Sequence, residues 1–326
     1  MLKIHSLNPG KRFVGLMVLW VLLIPVGVML AACGGPESAP TLPAATPTRT
    51  VPAATPTPTM TPAPTLAPTA TPVPTLPPAA IVTFYDGNLE AVIRVALGKA
   101  PSEDLTTEKL AELTVLSANG RRIADLTGIE HASNLSILDL SANQISDISP
   151  LVSLSDLSML VLSLNRITDI SHLASLSNLT ELHLSGNPIS DISPLASLSN
   201  LTELYLMSNQ ISDISPLASL SNLSSLFLPS NRISDISPLA SLNNLTWLFL
   251  NGNQISDIFP LVSLTNLSNL ELFLNQISDI SPLVANSGLG QGDVIFLEGN
   301  PLDLSEGSED LDNIRQLEAR GVSVRR

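Results

Sequence analysis

Seven asparagines, at positions 143, 165, 187, 209, 231, 253 and 275, stand 22 residues apart. A chain phased in this way buries its apolar side chains by stacking one coil on the next. Each asparagine has leucine eight, five and three residues before it: Leu135, Leu138 and Leu140 before Asn143, and Leu267, Leu270 and Leu272 before Asn275. The spelling is LxxLxLxxN, followed by IxDI and, with one exception, a proline and leucine, as in QISDISPLASLSNL after Asn209. Irregular units ending at Asn119 and Asn300 flank the seven and give about nine turns. The first has two extra residues between Asn119 and Ile123, and the last has SGLGQGD where the others approach the strand through leucine.

Alternation within LxxLxLxxN predicts a short strand whose leucines share one face, and successive strands would form a parallel sheet. The isoleucines and the leucine after proline approach from the opposite wall. Each coil then supplies about six large aliphatics, at roughly 1.5–3 kcal/mol per buried side chain, so long as neighbours cover its open ends.

The pattern resembles the 22-residue leucine-rich repeats of internalin-like bacterial surface proteins over roughly residues 84–326. The fold expected is an α/β-type repeat solenoid: a horseshoe with a parallel concave sheet, short helical or 3-10 turns on the convex side, and helical caps at both ends. The divisions read from the sequence are an N-terminal cap at 81–112, repeats at 113–300 and a C-terminal cap at 301–326. In the first cap Leu89, Val92, Ile93, Ala96 and Leu97 mark one helical face, with Asn88 as its cap and Gly98 at its end, and a second short helix follows Thr106. In the last, a helix over Ser308–Arg320 turns Leu311, Ile314 and Leu317 inward and stops at Gly321. The resemblance also implies binding more than chemistry, without naming a ligand.

The phased asparagines read as structural: their amides satisfy backbone groups where the chain leaves the strand, and stacked copies bond to one another. Asp147, Asp169, Asp191, Asp213, Asp235, Asp257 and Asp279 form a second ladder expected to cap the convex turns. Calcium is the rival reading of these aspartates, but the glycine-rich calcium-binding nonapeptide is missing from the sequence. Six NLS or NLT triplets, beginning at Asn134, arise from the repeat itself and are no evidence of glycosylation.

Residues between the strand leucines project from the concave face and escape the repeat's constraints. Four before each asparagine stand Asp139, Val161, His183, Tyr205, Phe227, Phe249 and Glu271, and six before it stand Ile137, Met159, Glu181, Glu203, Ser225, Trp247 and Asn269. Phe273 and Phe296 fall on the same face. Since adjacent strands lie about 4.8 Å apart, Tyr205, Phe227 and Phe249 are expected to form an exposed aromatic row with Trp247 beside it. Together with Phe273 they are candidate ligand-binding residues, and Glu181, His183 and Glu203 make an acidic patch at the other end. The alternative is that the rings pack on one another and only cover the sheet, leaving a structural envelope spacer or scaffold. No metal site is assigned, because no second histidine adjoins His183.

The N-terminus addresses the chain. Lys11 and Arg12 lead into the apolar run Phe13–Leu30, which ends in LAAC. That is the layout of a signal peptide, residues 1–32, and the box resembles the lipobox of bacterial lipoproteins, which implies lipidation of Cys33. A membrane-spanning anchor is the competing reading of the apolar run, against which Pro25, Gly27 and the box itself count. Residues 33–80 are mostly Pro, Thr and Ala, expected to be a lipidated, disordered stalk with O-glycosylation of its threonines an open alternative. The location implied is exported, on the outer face of the cell membrane or on the outer membrane. Removing residues 1–32, with Lys3, Lys11 and Arg12 and no acid, takes the net charge from −14 to −17. That balance opposes phosphate backbones and anionic lipid surfaces, so nucleic acid is excluded as partner and the membrane is met through the lipid anchor only. The partners expected are an extracellular or envelope protein, with glycan as the other class. No cofactor and no enzymatic activity are expected: the one cysteine is taken by the anchor, only His131, His172 and His183 remain after the signal peptide, and the serines and aspartates are in phase with the repeat.

Overall fold

A computed structural model describes residues 80–326; Cys33 and the segment read as a stalk lie outside the described residues. Ten three-residue strands form one sheet in strict chain order, every pair parallel. They are β1 (Val115–Ser117), β2 (Ile137–Asp139), β3 (Met159–Val161), β4 (Glu181–His183), β5 (Glu203–Tyr205), β6 (Ser225–Phe227), β7 (Trp247–Phe249), β8 (Asn269–Glu271), β9 (Val294–Phe296) and β10 (Ser323–Arg325). The middle residue of each repeat strand, such as Leu204 or Leu226, is fully buried, and its two neighbours face the concave side. The wall opposite the sheet is built of 3-10 turns such as Ser193–Ser197, with proline in the first turn and the following leucine buried. Between sheet and turns runs one continuous aliphatic core from Val82 to Val322.

The asparagine ladder holds the coils in register. Asn209 Nδ2 donates to Leu206 O of its own coil (3.0 Å) and to Leu184 O of the coil before (3.1 Å), while Ile189 N donates to Asn209 Oδ1 (3.1 Å). The amide therefore bridges two coils through their backbones. The expected bonds between stacked amides do not form: all three of these capacities are spent on peptide groups, whose burial makes them the more demanding partners. The residue before each ladder asparagine is left-handed, including Ala142, Leu164, Ser208, Ser230 and Leu274 as well as Gly186 and Gly252.

Two polar ladders run outside the core. Asn178, Asn200, Asn222, Asn244 and Asn266 each donate Nδ2 to a carbonyl 23 residues earlier, so the triplets beginning there serve coil stacking. Each aspartate of the second ladder accepts from the N–H two residues on, as Asp191 Oδ1 does from Ser193 N (2.8 Å). The aspartates thus close Asx turns at the start of each convex turn, with the intervening isoleucine at the cap position itself. These hydrogen bonds hold the Asp169, Asp191 and Asp213 carboxyls below the usual carboxylate range.

Three expectations about the ends are corrected. Helix α1 (Gly87–Ala96) is capped by Asp86, not Asn88: Asp86 Oδ1 accepts from Asn88 N and Leu89 N, and Oδ2 accepts from Ala124 N (2.8 Å) of the first coil. A carboxylate serves both sites at once, which a capping amide, offering one acceptor oxygen, cannot. Asn119 is exposed and outside the ladder; with Val115 opposite Ile137, the position 22 before Asn143 is Arg121. The first unit therefore has no insertion, only a different residue in the ladder's place. The C-terminal cap adds a strand as well as a helix: α2 (Thr107–Leu110) and α3 (Ser281–Ala285) precede α4 (Glu309–Ala319), and the chain then returns as β10 beside β9. Ser308 caps α4, and Ile314 and Leu317 seal the last coil. Gly288 lets the last coil pass close against the one before it, because a Cβ there would run into the Thr265 carbonyl.

Replacing Asn209 by Ala leaves the Ile189 amide without its partner in the core and takes from the Leu184 and Leu206 carbonyls one of their two amide donors, the others being Asn187 and Asn231, and should cost about 3 kcal/mol in denaturant unfolding. Leu204→Ala should cost a similar 2–5 kcal/mol, approximately, through its cavity. An Asn209→Ala variant as stable as the parent would show that the ladder is incidental.

Candidate functional site

The concave face is where side chains vary, and the sheet's register decides which of them meet. His183, Tyr205, Phe227, Phe249, Glu271 and Phe296 occupy one register row across β4–β9; Glu181, Glu203, Ser225, Trp247 and Asn269 occupy the parallel row beside it. Parallel strands space such neighbours at nearly the thickness of a stacked ring pair. The His183 and Tyr205 rings stack at 4.0 Å between centroids and 11°, and Tyr205 and Phe227 at 4.4 Å and 4°. Phe249 turns edge-on to Phe227 at 4.8 Å, and Trp247 lies tilted against Phe249 at 6.0 Å. The predicted row exists and is one ring longer than expected, since His183 opens it.

The acidic patch is part of the same assembly. His183 Nε2 donates to Glu181 Oε1 (2.6 Å), and the Tyr205 hydroxyl donates to Glu203 Oε2 (2.7 Å). Each carboxylate pins the ring two residues ahead of it and so helps hold the stack flat. Burial, and then the hydrogen bond to Glu203, push the Tyr205 phenol well above its ordinary value, keeping it a donor.

One predicted site residue is placed differently. Phe227 retains only 7% of its surface, because Tyr205 covers one side and Phe249 the other; it is a packed member of the stack, not an exposed anchor. Tyr205, Trp247, Phe249 and Phe273 are half-buried. Phe273 lies two residues past β8 and joins none of these ring pairs. Glu271 was visible in the series four before the asparagines but had no signal of its own, because its surroundings come from other coils. Burial, with the Glu298 carboxylate second, pushes its pKa up to about 7. Among the described residues no group of three or more His, Cys, Asp or Glu is placed to hold a metal ion.

Stacked coils, a buried asparagine ladder and an open concave sheet bearing non-repeating rings define a leucine-rich-repeat scaffold, a class that presents concave binding surfaces. The profile described as "Leucine Rich repeats (2 copies)" matches residues 155–197, 199–241 and 243–285. Internalin C2 of Listeria monocytogenes is 40% identical, the match covering 67% of this chain and 93% of that one with a TM-score of 0.60. The chain belongs to the internalin-like leucine-rich-repeat proteins. A second Listeria monocytogenes internalin is 35% identical over 74% of this chain and 91% of that one, with a TM-score of 0.39. A leucine-rich-repeat protein of Leptospira interrogans, 24% identical over 67% of this chain and 62% of that one, has a TM-score of 0.55 and shares the fold. No curated protein sequence matches the chain.

Glu271 makes a pH-dependent contribution whose sign follows from its raised pKa. The folded protein holds the proton more tightly than the unfolded chain, so the stabilisation is complete below about pH 4.5 and is lost as pH rises through about 7. Glu271→Gln, which is always neutral, should therefore melt above the parent at about pH 8 and level with it at about pH 4. Equal melting at both values would place the carboxylate in water.

Proposed function

We propose that this protein is an exported, lipid-anchored surface protein that docks a protein partner on its concave face. The observation that carries the reading is the contiguous row of rings across β4–β7, built at positions the repeat leaves free. Ring stacking also favours protein over glycan. A sugar packs its apolar face flat on an open ring, whereas His183, Tyr205 and Phe227 spend their faces on one another and offer edges. Half-buried edges beside Glu181 and Glu203 suit the mixed polar and apolar groups of a polypeptide. The candidate ligand-binding residues are Tyr205, Trp247, Phe249 and Phe273 with Glu181, His183 and Glu203, while Phe227 supports them from within the stack.

The burial of Phe227 is what a purely structural spacer would also require, so the two readings are tested on Trp247 and Phe249. The full chain would be immobilised and envelope and cell-surface extracts passed over it. Trp247→Ala and Phe249→Ala should weaken the captured partner about thirtyfold, the equivalent of about 2 kcal/mol, with little change in melting temperature for Trp247→Ala and, because Phe249 covers one side of Phe227, a modest lowering for Phe249→Ala. Leu248→Ala should instead lower the melting temperature. Capture unaltered in both aromatic variants would leave the scaffold as the function.

Anchoring through Cys33 rests on the order of basic, apolar and LAAC segments. Among the described residues no helix is long and apolar enough to cross a membrane. Cys33→Ser should abolish acylation in metabolic labelling with a fatty acid and release the protein from the membrane fraction; a native protein whose intact mass shows an unmodified cysteine would refute the anchor.

A further inference from the structure

The concave row continues past the rings. After Phe249 the next residue in register is Glu271 and the next is Phe296, so a carboxylate stands on β8 with a phenyl ring on the strand to either side. Glu271 is half-buried, and neither a hydrogen bond nor a cation offsets the burial and the Glu298 charge that raise its pKa. On β7 it stands opposite Phe249, with Trp247 opposite Asn269 two residues back, and neither ring carries a charge; on the β9 side the titratable group is Glu298, and Arg325 of β10 lies one strand further, beyond Phe296. A carboxylate accepts hydrogen bonds and cannot donate them, and aromatic rings attract positive charge over their faces. The group that satisfies such surroundings is a cationic donor. The chain itself, at a net charge of −14, is poor in them, so a partner has to bring it.

We infer, on the footing of the concave-face reading above, that the Phe249–Glu271–Phe296 stretch receives a lysine or arginine side chain of a basic protein partner. The incoming cation pairs with the Glu271 carboxylate between two rings, where low solvent access strengthens the bond. Engagement is coupled to pH, because a protonated Glu271 offers no charge.

The test uses the full-length chain, labelled with 13C at its glutamate and glutamine side-chain carbonyls, and two tripeptides, acetyl-Gly-Arg-Gly-amide and its citrulline counterpart. Citrulline keeps the shape of arginine and removes the charge. The Glu271 resonance, assigned by its loss in Glu271→Gln, should shift with the arginine peptide, titrate at lower pH in its presence, and ignore the citrulline peptide. Affinity should be roughly tenfold or more tighter at about pH 8 than at about pH 5.5. An equal response to both peptides, or a Glu271 resonance unmoved up to the solubility limit of the arginine peptide, overturns the inference. Failure of the two readings is separable with the captured partner. Loss of capture in Trp247→Ala with none in Glu271→Gln leaves concave docking standing and removes the cationic site, whereas loss in neither removes both.

Discussion

The bond on which the rest of this molecule depends is the one a buried asparagine makes across two coils. Where the chain leaves each strand, its peptide groups point into an aliphatic core that offers no water, and an unpartnered group there costs on the order of 1–3 kcal/mol. Asn143 through Asn275 meet those groups with one amide each, donating to carbonyls in their own coil and the preceding one and accepting an N–H from the coil before. The amide locks neighbouring coils at the advance of about 4.8 Å that the parallel strand ladder sets. Ring spacing and the flatness of the concave face follow from that advance.

The same repetition explains why the non-repeating rings are confined to one face. Buried leucine and isoleucine positions answer to the core, and the aspartate and outer asparagine positions answer to turns and coil contacts. Only the two residues flanking each central strand leucine are released from these duties. Side chains there meet the equivalents from neighbouring coils at ring-stacking distance, so a local choice of tyrosine or phenylalanine becomes a collective surface. Replacing one ring alters the support of the next, which is why Phe227, enclosed by its neighbours, behaves as core although it lies on a sheet face. Acids complete the surface at both ends: Glu181 and Glu203 orient rings, while Glu271 is left with no partner to neutralise it.

Much of this was legible from one-dimensional spacing, and the failures have physical causes. The strands, the convex turns and the contiguity of the ring row follow from a period of 22, since residues one period apart must be neighbours in a stack. Asn119 misled because it matches the ladder in residue type, whereas strand register places Arg121 there. Asn88 misled because it is a good cap in isolation; Asp86 wins by bonding to helix α1 and to the first coil together, a contact between residues 38 apart. The strand Ser323–Arg325 went unread, although VSV alternation was its signal, because a strand at the end of a chain exists only if an edge waits for it.

The sequence by itself determined that the chain stacks, about how many coils it stacks and which aliphatic side chains are core, because periodic burial is a property of spacing and residue type alone. Tertiary structure decided what each concave residue experiences. Tyr205 becomes a half-buried phenol pinned by Glu203, Phe227 disappears between two rings, and the Glu271 carboxyl, between Phe249 and Phe296, has its pKa pushed up to about 7. Those outcomes depend on desolvation and, for Phe227 and Glu271, on partners 22 or more residues away, and both come into being only when one coil lies against the next.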